Sequence, residues 1–104
     1  MRLVPAGVRV KVEVFNATGE RGIARRAMLY LRSRGFDVVT VGNAPQRLDS
    51  SLVIDRSGHH DWAALAARAV GASRVEARAD SSRYVDLTIL IGAAFRLPPQ
   101  VLYP

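Results

Sequence analysis

The chain has 104 residues, a formal net charge of +6 and no cysteine, which points to one small domain and excludes disulfides, thiolate catalysis and Cys-ligated zinc. No apolar run approaches the roughly 20 residues of a membrane span, and Met1-Arg2-Leu3-Val4-Pro5 is not followed by the apolar core of a secretion signal, so any targeting or membrane segment is expected outside these residues. Lys11 is the only lysine among 15 basic residues. Such an arginine surface suits either plain solvation or an anionic partner: nucleic acid, a phosphorylated glycan or a membrane surface.

Val8, Val10, Val12 and Val14 alternate with Arg9, Lys11, Glu13 and Phe15, the period of a strand with one apolar face. The stretch Phe15-Asn16-Ala17-Thr18-Gly19-Glu20-Arg21-Gly22 then reads as a glycine-hinged loop leading into a helix. From about 22 to 34, Ile23, Ala24, Ala27, Met28 and Leu31 recur at helical spacing, with Gly35 suited to a left-handed C-terminal cap. On that helix Arg21, Arg25 and Arg32 form a stripe away from the apolar face, with Arg26 to one side. Phe36 to Val41 predicts a second strand, which Gly42-Asn43-Ala44-Pro45-Gln46 should break, and a polar loop continues to Ser51.

Leu52, Val53 and Ile54 predict a short third strand. Ser57 is the expected N-cap of a helix with Trp62, Leu65, Ala66, Ala69 and Val70 on one face, closed by Gly71, and Trp62 and Leu65 are expected to be buried against a sheet. A weak strand near 74–77 and a polar turn at Asp80-Ser81-Ser82 precede Val85 to Ile91, the strongest strand signal, expected at the centre of the sheet.

The loop after the first strand recurs as Val53-Ile54-Asp55-Arg56-Ser57-Gly58. Asn16 and Asp55, Thr18 and Ser57, and Gly19 and Gly58 are each separated by one offset (55 − 16 = 57 − 18 = 58 − 19), which identifies two similar strand-helix-strand halves. The fold expected is an α/β sandwich of the α+β kind. It is a βαββαβ-like pseudo-repeat with an extra short strand, most simply split βαβ, with a mixed or antiparallel sheet and two helices on one face. Residues 1–7 read as a linker or cloning remnant, 8–95 as the domain and 96–104 as an extended, proline-rich tail that either docks on a sheet edge or a partner or forms a disordered terminus.

Asn-Ala-Thr-Gly at 16–19, Gly-Phe-Asp-Val-Val at 35–39, Gly-Asn-Ala-Pro at 42–45 and Val-Asp-Leu-Thr-Ile-Leu-Ile-Gly-Ala-Ala-Phe at 85–95 occur in one order and spacing. With them, residues 8 to 95 resemble the LytR C-terminal domain family, which follows the catalytic domain of LytR/CpsA/Psr proteins and also occurs in membrane-anchored actinobacterial proteins without it. The resemblance implies an extracytoplasmic, cell-envelope accessory module. Glycopolymer transfer belongs to the upstream catalytic domain, whose phosphate site has no counterpart here. The family's loop pattern falls on Asn16, Thr18, Gly19, Gly22 and Ala24, and its second turn on Gly42, Asn43, Ala44 and Pro45. Asn16-Ala17 stands where relatives often have Asn-Gly.

The first candidate site is the loop after the first strand, where free amides at a helix start lie beside Arg21 and Arg25. Its candidate ligand-binding residues are Asn16, Thr18, Gly19, Arg21, Gly22 and Arg25, joined by Asn43. The structural alternative is that Asn16 and Thr18 only cap the turn. Gly19-x-x-Gly22 follows a strand, which argues against a KH clamp, and the isolated Phe15 and Tyr84 make no RNA-recognition platform, so nucleic acid is not an expected partner.

His59-His60-Asp61 points in diverging directions and reads as a solvated helix start, not a metal site. Ser50, Ser51 and Asp49 lack a nucleophile elbow, and Asn16-Ala17-Thr18 is a fortuitous sequon. No catalytic, metal or cofactor-binding residue is assigned. The functional expectation is a non-catalytic module binding peptidoglycan or an anionic wall glycopolymer, or regulating the transfer machinery through a LytR/CpsA/Psr catalytic domain or another envelope protein. A protein-interaction or self-association module is the alternative, and a basic nucleic-acid-binding domain, resting on charge alone, is the second alternative.

Overall fold

The computed structural model describes residues 2–97. β1 (Lys11–Asn16), α1 (Ile23–Ser33) and β2 (Asp37–Asn43) form one unit, and β3 (Leu52–Asp55), α2 (His60–Val70) and β4 (Arg74–Ala77) form the second. A 3-10 turn at Ser81–Arg83 leads to β5 (Leu87–Ile91). The five strands make one sheet in the order β2-β1-β5-β3-β4. β1 is parallel to both β2 and β5, β3 is parallel to β4, and β3 meets β5 antiparallel.

The sheet is therefore mixed, with two helices over one face and β5 in the middle, as the apolar run of residues 85–91 predicts. The interleaved order of split βαβ folds is absent. Each helix returns the chain to the strand directly beside the one it left, and β5 separates the two units. β5 takes that place because four of its five residues are buried and it has to be covered on both flanks.

Register explains the layering. Val12 stands beside Val38 and Leu87, Val14 beside Ile89, and Ile89 beside Val53. These side chains share one face and pack with Ala24, Ala27 and Leu31 of α1 and Ala63, Ala66 and Val70 of α2 in a single core. The leading residues pack on it too, since Val4 is buried and the amides of Leu3 and Val4 donate to the Arg34 carbonyl. Of the tail, Arg96 and Leu97 are described; residues 98–104, for which docking and a disordered terminus were equal expectations, lie outside the described residues.

Three local expectations are corrected. Trp62 and Leu65 are half-buried at the border of α2, whose buried face is Ala63, Ala66, Ala67 and Val70. The small residues sit closest because they let the helix approach the sheet, while Trp62 turns aside to stack on His59, ring centroids 3.5 Å apart. Ser57 does not cap α2. The carboxylate of Asp55 accepts from the amides of Ser57, Gly58 and His59 at 3.1, 2.9 and 3.1 Å, which a shorter hydroxyl cannot do. Nor does Gly42 break β2, which continues to Asn43. Gly42 pairs with Phe15, and a Cβ there would stand 3.1 Å from the Phe15 ring, so glycine lets the ring lie across the strand.

Candidate functional site

β2 ends beside β1, but β3 begins beyond both β1 and β5, so the connection 44–51 has to cross the carboxyl ends of those strands. Its backbone bonds trace the path. Ala44 donates to the Asn16 carbonyl at 2.9 Å and Leu48 to Ala17 at 2.8 Å, while Leu48 and Asp49 accept from Ala93 and Ala94. This strap faces the β1-α1 loop across a groove at the carboxyl ends of β1 and β2, the end of parallel strands where open α/β sheets receive ligands.

The β1-α1 loop is held by its own side chains. Asn16 is buried; its Oδ1 accepts from the Thr18 amide at 2.8 Å and the Thr18 hydroxyl at 2.6 Å, and its Nδ2 donates to the Glu20 carbonyl at 2.6 Å. Thr18 Oγ1 in turn accepts from the Glu20 amide at 2.8 Å. The side-chain groups of Asn16 and Thr18 are thus committed to the turn. The second half repeats the device, with Asp55 Oδ1 accepting from the Ser57 amide and Gly19 and Gly58 at φ 76° and 80°.

The groove, of about 520 Å³, brings together Asn16, Gly19, Arg21, Gly22 and Asn43 from the sequence-predicted set. Thr18 and Arg25 do not line it; Arg25 is exposed on α1 and Thr18 is turned into the loop. Gly22, the N-cap of α1, has no side-chain cap and no acidic residue follows in the first turn, which leaves the helix-start amides open to an anion. Arg47 completes the groove, its guanidinium so close over Gly19 that a Cβ there would stand 2.7 Å away. Sequence reasoning missed Arg47, since a single arginine in an aperiodic loop carries no pattern. Among the described residues no carboxylate pairs with Arg21 or Arg47.

A second groove, of about 500 Å³, lies on the sheet face that no helix covers and shares the Asn43-Ala44-Pro45 ridge with the first. Its floor is Phe15, Ile54 and Leu90, and its rim is Arg56, Arg78 and Arg83. Beneath them Glu13, 6% exposed, accepts from the Thr88 hydroxyl at 2.6 Å and from Arg83 Nε. Arg56 Nε donates to Thr88 Oγ1 at 2.9 Å and its Nη1 to the Arg78 carbonyl at 3.1 Å. Burial, then the like charge of Arg83, pulls the Arg56 guanidinium below its ordinary value, whereas its bond to Glu13 raises Arg83. Alternation marked Glu13 and Phe15 as outward-facing, but the arginines that meet them come from three separate loops and strand ends.

Among the described residues no three His, Cys, Asp or Glu side chains gather as a metal set. His59 is occupied by Trp62, and His60 Nδ1 lies 3.4 Å from Asp55 Oδ2.

A soluble domain (residues 71-217) of a conserved hypothetical secreted protein from Mycobacterium marinum, the Rv2700 ortholog, has a similar crystal structure, with 26% identity and a TM-score of 0.67 over 85% of this chain. The chain spans 62% of that domain's length. The solution structure of the C-terminal domain of RV0431 is similar at 25% identity and a TM-score of 0.54, covering 88% of this chain and 79% of that one. No curated protein matches the chain. Among the described residues, no helix is long and apolar enough to cross a membrane. A sequence model described as LytR cell envelope-related transcriptional attenuator matches residues 9–95, and with the strap, the paired loops and the central β5 all inside that span, the chain belongs to the LytR C-terminal domain family.

Proposed function

We propose that this domain is a non-catalytic, extracytoplasmic accessory module that holds an anionic wall glycopolymer, or peptidoglycan bearing one, in the groove between Gly19–Gly22 and Asn43–Arg47. One observation carries the reading: Arg21 and Arg47 line a single groove beside uncapped helix-start amides, with no carboxylate among the described residues paired with either. Planar guanidinium groups and backbone amides together suit phosphate or carboxylate oxygens. Membership of a cell-envelope family and likeness to the soluble domain of a secreted protein support the location.

The test is sedimentation of the chain with purified walls before and after removal of anionic polymers. Binding should require the polymer, weaken as salt shortens the electrostatic range, and fall at least ten-fold in Arg21→Ala/Arg47→Ala. Equal sedimentation of wild type and variant overturns the groove assignment.

A protein-partner reading has its own observation. β2 is an edge strand of seven residues whose outer Val39 and Val41 are 47% and 39% exposed, a template for pairing with another chain. Concentration-dependent association abolished by Val41→Lys would favour it.

A further inference from the structure

We propose that the uncovered face of the sheet is a second, separate binding site, for an amphipathic anion: a phosphate or carboxylate group carried on an apolar chain. The groove there, about 500 Å³, falls within the range of small-ligand sites. Its two ends differ in chemistry. Arg56, Arg78 and Arg83 gather at one end, Arg78 already paired with Glu76, while the floor of Phe15, Ile54 and Leu90 continues toward Leu48 and Pro45 under the strap.

The cationic end is built rather than incidental. Buried Glu13 fixes Arg83 through Nε, and the Thr88 hydroxyl fixes Arg56 through Nε. Each guanidinium is thereby oriented from behind, with Arg56 Nη2 and both terminal nitrogens of Arg83 making no hydrogen bond among the described residues. Arg56 is lowered first by burial and then by the like charge of Arg83, with Glu13 and Asp80 opposing, and the one buried carboxylate below the two arginines is already bonded to Arg83 and Thr88. An anion bound across the two would relieve that repulsion and accept from the unused N–H groups.

The apolar end decides the rest of the ligand. A sugar ring buried there would surrender its water to Phe15, Ile54 and Leu90, with only Asn43 and Gln46 among the described residues at the far rim to replace it, and unreplaced hydrogen bonds are costly. An alkyl chain loses nothing polar and gains by leaving water. The site therefore differs in class from the glycopolymer groove across the Asn43-Ala44-Pro45 ridge, and stands or falls independently of it.

The probes are dodecyl phosphate below its micelle concentration, inorganic phosphate, and uncharged dodecyl maltoside, each titrated into the 104-residue chain and followed by calorimetry and amide shifts. Dodecyl phosphate should bind one to one, at least ten-fold tighter than either control, with shifts at Phe15, Ile54 and Leu90. Arg78→Gln/Arg83→Gln should weaken it at least ten-fold, whereas Arg21→Ala/Arg47→Ala should leave it unchanged. Capture on phosphatidylcholine vesicles containing phosphatidic acid would place the ligand in a membrane, and binding of the soluble form alone would point to a free carrier; both sustain the site. Equal affinity for inorganic phosphate or for the maltoside, shifts elsewhere, or no saturable binding would overturn it. Because the three ligands are compared on the unmodified chain, the result does not depend on the variants folding.

Discussion

The two faces of the sheet use the same strands for opposite ends. Val12, Val14, Leu87 and Ile89 meet the helices and are fully buried, while among their neighbours one residue along Phe15, Thr88 and Leu90 line an arginine-rimmed groove and Glu13 lies beneath its arginines. The contrast shows how a small domain divides its labour. One face carries the burial that folds it, and the other carries polar groups whose partners have to come from distant loops.

Substitutions should grade across that divide. Leu31→Ala, which empties the core between α1 and the sheet, is expected to cost about 2 to 5 kcal/mol in urea denaturation, and a small domain tolerates little more. Glu13→Gln keeps the shape but leaves Arg83 without its carboxylate; with Arg83 partly exposed, the loss should be about 1 to 2 kcal/mol by the same measurement. Leu90→Ala, on the half-buried floor, should cost about 1 kcal/mol and cancel dodecyl phosphate binding far more than stability. Arg21→Ala/Arg47→Ala should shift stability by no more than about 0.5 kcal/mol, both side chains being exposed, and act on ligand binding alone. A stability loss for Leu90→Ala equal to that of Leu31→Ala would erase the distinction between the faces.

Much of this was legible in the sequence because it is periodic or repeated. The Val8–Val14 alternation marked the two faces, and the common offset of Asn16/Asp55 and Gly19/Gly58 marked two loops that are built alike. What escaped depends on contacts between segments. The capping role of Asp55, upstream of the expected Ser57, rests on a side chain long enough to span three amides. Trp62 was expected to be buried because it begins the apolar stripe of α2, yet the neighbouring alanines win the contact with the sheet. Arg47, Arg56, Arg78 and Arg83 look alike in a chain rich in arginine; only the strap crossing and the position of β5 decide which of them share a groove. Of the residues expected at the β1-α1 loop, Asn16, Gly19, Arg21, Gly22 and Asn43 line one groove, whereas Thr18 and Arg25 lie outside it and Arg47 enters from the strap.

The claim that a wall polymer is held at the carboxyl ends of β1 and β2 is tested most directly by amide shift mapping with a soluble fragment of the anionic polymer. The account predicts saturable shifts clustered at Gly19, Arg21, Gly22, Asn43, Ala44 and Arg47, lost together in Arg21→Ala/Arg47→Ala. Shifts centred on the outer face of α1, around Arg25 and Arg32, or no saturable shift at any residue of the groove, would contradict it.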